Sequence, residues 1–446
     1  MLGRKWFIPA VIAIVLLIGV GALLLWPRTE TPMAEKPSPA PATVVERPAT
    51  PPATPQPAPQ EVDPLTAALN RAAQGDLDGA QMEIEALHQE QPNASGPHLG
   101  LAEIAIRRGD IDGAESWIAK GLAVAPDAPE LYRAQARLRI LQKRESDAIA
   151  AFETAIARAP KDPRSYIELA NLYATRLDQL DKAVQTFNAA LAVDPKNATA
   201  HFGLGVALAR MKRDDAAKAA LVAAQKLAPT NPMPIFTIGQ IYASEKRFTE
   251  ALAAFDGALK IRPTLIVARI ARGDVFQGLQ KYDEAIGEYR EILKVDPKSV
   301  RALLGVAMSQ QAAGREADAQ QSYRAVLAVD PEQALALNNL AWSWAIEKRN
   351  LDEALQFAKK AVEVAQGQAP FRDTLGWVHF HRGEFTDAAK ELELALQQQP
   401  NAPTYTHLGA VRAAQGDKPA AVAAYRKALD LSPDFKPAIE GLSQVQ

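Results

Sequence analysis

The chain has 446 residues, 48% hydrophobic and 23% charged, which is ample apolar material for a folded array. Its 50 basic and 52 acidic residues leave a net charge of −2, so it lacks the basic footprint that nucleic acid requires. With no cysteine, disulfides, thiolate metal sites, a cysteine nucleophile and the lipid-bearing cysteine of a bacterial lipoprotein are excluded.

Residues 1–5 are a short basic head, and Trp6 to Trp26 is an uncharged apolar run of 21 residues. At 1.5 Å per residue a helix of that length spans about 31 Å, the thickness of a bilayer's hydrocarbon. The tryptophans at its two ends suit the interfaces. A cleaved signal peptide is the rival reading, but its apolar core is about 7 to 15 residues long and a small-x-small site follows it. Here the run ends in Leu-Leu-Leu-Trp-Pro, and the next alanine, Ala34, has Pro32 two residues before it. The sequence therefore predicts an uncleaved transmembrane signal anchor over 6–26. Arg4 and Lys5 precede the run, while Arg28 follows it close to Glu30, which predicts a cytoplasmic N-terminus and a remainder on the far side.

Residues 27–60 are dominated by Pro, Ala and Thr, as in Pro48-Ala-Thr-Pro-Pro-Ala-Thr-Pro-Gln-Pro-Ala-Pro59. Such a segment cannot bury apolar surface and favours polyproline II, rising about 3.1 Å per residue, so the stretch reads as a disordered tether of up to ~100 Å. Its Pro-x-x-Pro pairs also fit an SH3-type ligand, although a spacer is the simpler role between an anchor and a domain.

Beyond this segment a proline beats time. Pro92, Pro126, Pro160, Pro195, Pro229, Pro263, Pro297 and Pro331 recur every 34 or 35 residues; one beat is missing near Gln366, and the count resumes at Pro400 and Pro433. Within one period Tyr166, Leu169, Ala170 and Tyr173 fall on one helical face, and Ala183, Phe187 and Ala190 on a second, before Pro195. Two periods on, Ile235, Ile238, Gly239 and Tyr242, then Ala251, Phe255, Ala258 and Pro263, repeat the pattern. Small residues let the two helix backbones approach, large ones fill the gaps, and the proline stops the second helix.

This grammar resembles the tetratricopeptide repeat. The resemblance covers 61–435 as eleven units beginning near Glu61, Ser95, Pro129, Pro163, Ala198, Pro232, Ile266, Val300, Ala334, Ala369 and Ala402, with residues 436–446 as a capping helix. It implies an all-α, right-handed superhelical solenoid of helix pairs whose first helices line a groove for protein segments. Carried over through the second, fifth, ninth and twelfth residues of the repeat, the groove candidates are Arg133, Arg137, Arg164 and Asn171 in units three and four. Phe202, Phe236, Gln240 and Asp274 follow in units five to seven, then Asn338, Trp342, Asp373, Trp377 and Phe380 in units nine and ten. Two readings stand for the tryptophans, anchors for a ligand or packing between helices, and two for the arginines, ligand contacts or a solvated face. Arg133 and Arg137 resemble the basic pair of a clamp for C-terminal carboxylates. Yet Glu103, Ala68 and Ala72 stand where that clamp needs Asn and Lys, so a chaperone-tail receptor is not expected.

No catalytic, cofactor or metal site is expected. His379 and His381 are the only histidines close in sequence, and an i, i+2 pair on a helix points about 200° apart. Arg108-Gly109-Asp110 reads as the turn between two helices of one unit. The whole order of head, span, Pro-rich spacer and repeats is similar to single-pass envelope proteins of bacteria. It implies a non-catalytic scaffold in the inner membrane, its repeats periplasmic, binding protein partners in envelope biogenesis, export or exopolysaccharide machinery. The alternative is a self-associating organiser of a membrane assembly.

Overall fold

A computed structural model describes residues 63–446. The expected anchor over 6–26 and the Pro-rich spacer over 27–60 lie outside the described residues. Among the described residues no helix is long and apolar enough to cross a membrane. The chain forms two compact bodies, and each is taken by itself.

In residues 63–229 the helices come in pairs: α1 (Pro64–Ala73) with α2 (Leu77–Glu90), α3 (Ser95–Arg108) with α4 (Ile111–Val124), α5 (Pro129–Leu141) with α6 (Glu145–Arg158), α7 (Pro163–Thr175) with α8 (Leu180–Val193), and α9 (Ala198–Arg210) with α10 (Asp214–Leu227). Residues 230–446 continue with α11 (Met233–Ser244) and α12 (Phe248–Ile261), α13 (Ile266–Gly278) and α14 (Tyr282–Val295), and α15 (Val300–Ala312) and α16 (Glu316–Val329). Then come α17 (Ala334–Glu347) and α18 (Leu351–Val364), α19 (Ala369–His381) and α20 (Phe385–Gln398), α21 (Ala402–Ala414) and α22 (Lys418–Leu431), and a last helix α23 (Lys436–Val445). Among the described residues every regular element is helical.

The pairing follows from where the small residues fall. Each second helix carries an alanine near its start, from Ala80, Ala114 and Ala148 through to Ala354, Ala388 and Ala421, and all of these are fully buried. Facing them in the first helices are Ala102, Ala136, Ala170, Ala307 and Ala341, also fully buried, or a glycine. A Cβ built on Gly205 would sit 2.6 Å from Leu221 Cγ and 3.2 Å from the Ala217 carbonyl oxygen; on Gly376 it would sit 2.7 Å from Leu392 Cγ and 3.1 Å from the Ala388 carbonyl oxygen. Large side chains four residues after each alanine (Phe152, Phe187, Leu221, Phe255, Tyr289, Tyr323) fill the space beside this contact and are almost wholly buried. Each contributes about 1.5–3 kcal/mol by leaving water.

The stops are equally local. Gly109 takes φ +75° at the end of α3, and Asp110 then caps α4 by accepting from the Gly113 amide at 2.9 Å, so the Arg-Gly-Asp tripeptide is spent on a helix turn. Where the proline beat is missing, Gly367 turns the chain at φ +83° after α18.

Gly376→Ala is expected to destabilise the tenth unit by about 1–3 kcal/mol, because the Ala388 carbonyl cannot yield as a side chain can. Segmental hydrogen exchange checks this: amides of 369–398 should lose protection while those of α11 and α12 keep it. A uniform loss across 230–446 would contradict the local packing.

Candidate functional site

The groove candidates part company once their neighbours are in place. In residues 63–229 the arginines are held by carboxylates of their own body. Arg133 on α5 is 5% exposed, and its Nη1 donates to Asp162 at 3.0 Å. Arg137, one turn on, bridges Glu103 on α3 and Glu168 on α7, the latter at 3.0 Å. Arg164 folds back on Asp162, with its Nε 2.9 Å from the carboxylate. A guanidinium leaving water needs such partners, because an unpaired buried charge costs several kcal/mol. Of the two readings of the arginines, neither a free ligand contact nor a simply solvated face describes Arg133 and Arg137, which with Arg164 belong to one ion-paired network. Asn171 is exposed on α7, and Phe202 is half-buried on α9. The same body has an apolar cleft of about 540 Å³ between α8 and α10, walled by Val184, Leu191, Ala216 and Ala223, which the groove frame does not mark.

In residues 230–446, Phe236 is not a groove residue. It is 1% exposed and lies 5.6 Å from the Phe255 ring, inside the α11–α12 core. Gln240 is half-buried on α11. Asp274 accepts from the Tyr289 hydroxyl at 2.6 Å and from Arg301 at 2.6 Å, so its charge is already answered.

The remaining candidates converge. Trp342 on α17 lies 6.5 Å from Trp377 on α19. Trp377 is sandwiched between Phe380 at 4.8 Å and 16° and His407 on α21 at 4.3 Å and 28°. His381 meets the edge of Trp377 at 4.9 Å and 81°. Three first helices, from units nine to eleven, thus build one aromatic patch. Trp377, Phe380, His381 and His407 are half-buried in it, and Trp342 is 8% exposed. Behind it Asp373 is almost wholly buried and accepts from the His407 Nδ1–H at 2.9 Å. Asn338, 1% exposed, donates to Asn339 at 3.1 Å, and Asn339 donates to the Tyr323 hydroxyl at 2.8 Å. Asn338 and Asp373 are therefore supports beneath the patch, not contacts on it. Among the described residues the buried Asn338 Oδ1 and Trp377 Nε1 find no hydrogen-bond partner.

The groove frame missed His381, one residue past the twelfth position of unit ten, and His407, one residue past the fifth position of unit eleven. The neighbouring histidines diverge as their spacing requires: His379 turns away to Glu384 at 2.6 Å, while His381 joins the patch. Burial, with Lys348 and His407 nearby, pushes the His381 pKa down to about 4.

Tetratricopeptide repeat models match residues 118–163, 133–192, 270–319, 307–371 and 374–434, more than half of the chain. The chain belongs to the tetratricopeptide repeat family. Further tetratricopeptide repeat models match 71–138, 198–231 and 235–265. A helix-pair array of this family is a protein-interaction scaffold in general terms. Protein O-mannosyl-transferase TMTC1 of Mus musculus is 30% identical over 118 residues, which is 26% of this chain and only 12% of that protein. Similar solved structures include the APC/C hetero-tetramer Cut9–Hcn1, at 13% identity, 85% of this chain and 95% of that one, with a TM-score of 0.47. Yeast Tom70 is similar at 15% identity, 85% and 93% coverage and a TM-score of 0.41.

Two outcomes test the patch. His407→Ala should cost roughly 3 kcal/mol, because it strands the buried Asp373 carboxylate, and the loss should appear in urea denaturation followed by hydrogen exchange of α19 and α21. The second concerns pH. His381 has a folded pKa near 4, below its ordinary 6.5, so the unfolded chain takes up this proton first. Its contribution is complete above pH 6.5 and falls away as the pH drops toward 4. Relative to His381→Phe, the native protein should lose stability across that window, and parallel stability–pH curves would contradict the assignment.

Proposed function

We propose that this tetratricopeptide repeat chain is a membrane-tethered, non-catalytic scaffold that grips protein segments on the first helices of units nine to eleven. The observation that carries the reading is the convergence of Trp342, Trp377, Phe380 and His407, from three helices, into one half-buried aromatic patch. Aromatic side chains on a rigid base are strong interface anchors, because they bury much area and lose little conformational freedom. Elsewhere the charged candidates already have partners of their own, so they offer a ligand less.

The tether rests on the apolar run from Trp6 to Trp26 and the basic head before it, which favour one span with the repeats outside the cytoplasm. The order of span, Pro-rich spacer and repeats supports a place in a bacterial envelope, where a spacer would carry the scaffold clear of the membrane.

A C-terminal alkaline phosphatase fusion should be active and sediment with membranes; an inactive fusion on an intact, expressed chain would reverse the orientation. From the same membranes, crosslinked partners captured by the native chain should be lost with Phe380→Ala and kept with Arg164→Ala, while circular dichroism stays helical in both. Equal capture by all three proteins would remove the patch from the binding surface.

A further inference from the structure

We propose that the open cleft between α8 and α10 docks an amphipathic helix of a partner protein, one whose apolar anchors enter the cleft and whose carboxylate meets Arg213. The site lies on second helices and stands apart from the reading of the aromatic patch.

The first argument is shape. Ala216, Ala219, Ala220 and Ala223 fall at i, i+3, i+4 and i+7, so they form one continuous face of α10. Val184 and Leu191 of α8 stand across from it, and Leu204 of α9 gives the floor. The space they enclose is about 540 Å³ and opens to solvent. A small molecule seated there would keep much of its surface wet, whereas ligand sites bury about 70–90% of it. A helix suits the opening better, because its own i, i+3, i+4 and i+7 side chains can enter while its far side stays in water. Four methyl groups in line also let a helix backbone come close, as the small residues do where the two helices of a unit meet.

The second argument is charge, and the array supplies its own comparison. Four second helices begin after an arginine: α6 after Arg144, α10 after Arg213, α12 after Arg247 and α16 after Arg315. Arg144 is paired with Asp147 at 2.5 Å, Arg247 with Glu250 at 2.9 Å and Arg315 with Asp283 at 2.7 Å. Arg213 is exposed and has no carboxylate partner among the described residues. Three residues on, where the others carry Asp147, Glu250 and Asp318, this helix has Ala216. The residue that lines the cleft is thus also the one that leaves the guanidinium unanswered. No carboxylate lines the cleft. Asp214 and Asp215 begin α10 outside it, and Asp215 is engaged by Lys218 at 3.1 Å. His201, the other basic side chain of the lining, is turned to the Pro195 carbonyl at 3.0 Å. The cleft is therefore an apolar strip with a free cation at its rim, which selects an acidic helix over a basic one.

The test measures the fluorescence anisotropy of two synthetic helical peptides with the full chain in phosphatidylcholine nanodiscs. Both carry leucines at i, i+3, i+4 and i+7; glutamates flank them in one and lysines in the other. The glutamate peptide should bind at least about fivefold more tightly. Ala216→Asp, which gives Arg213 the kind of partner that Arg144 has in Asp147, should erase that preference while the helical spectrum and melting stay unchanged. Arg213→Glu should reverse it in favour of the lysine peptide. Phe380→Ala should leave both affinities as they are, so this site and the aromatic patch are tested separately. Equal binding of the two peptides, no binding of either, or a preference indifferent to Ala216→Asp overturns the proposal. So does binding that only Phe380→Ala removes, which would seat the peptide on the patch. If laurate binds instead, with the same dependence on Arg213, the ligand is an acyl anion and the helix is wrong. Dimerisation of the native chain that Ala216→Asp abolishes, with no peptide bound, would make the occupant a second copy and overturn it too.

Discussion

Two helix backbones meet in every unit where neither side chain is larger than a methyl group. At Gly205 against Ala217, and at Gly376 against Ala388, even that methyl is missing on one side, and the neighbouring carbonyl takes its place. This contact sets the crossing of each pair, because a larger residue at either position would push the helices apart by more than a close-packed core tolerates. The big residues of the second helices, such as Phe187, Phe255 and Tyr289, then have one cavity each to fill. With that face of the first helix spent on packing, its opposite face is left for chemistry.

What the free face does depends on how its polar groups are answered. Between α3 and α7 the answer is ionic: Arg137 lies between two carboxylates, and Arg133 gives up water for Asp162. The pairing holds the charges in place and blunts them as ligands, because each already has its counter-ion in contact. Between α17 and α21 the answer is aromatic. One buried carboxylate is hydrogen-bonded to one imidazole, and that imidazole stacks on the Trp377 ring, so the pair is spent on its own body. The two surfaces ask for different ligands, and only the second offers uncharged area on a rigid support.

The Trp377 sandwich also changes what the ring can do. The ring stacks on two side chains of its own body, so under the proposed function its part is to hold Phe380 and His407 in position. Packing and binding are therefore not alternatives at this site. The stack that links α19 to α21 is, under the proposed function, also the floor on which a segment rests.

The sequence by itself determined the repeat: its period, the pairing of helices, the small residues at their contacts and the stops between them. Each of these is written within about a dozen residues, in helical spacing, capping and the proline or glycine that ends a turn. Even the missing proline near Gln366 has its local substitute in Gly367. Which groove positions stay open was decided only by the tertiary structure. Phe236 occupies the same frame position as Phe202, yet it turns into the core onto Phe255 while Phe202 stays half-buried. Arg137 finds its carboxylates on α3 and α7, and His407 finds Asp373 on the preceding first helix. Exposure and pairing are properties of neighbours brought together from the partner helix or from adjacent units, and no local spacing encodes which of them will meet.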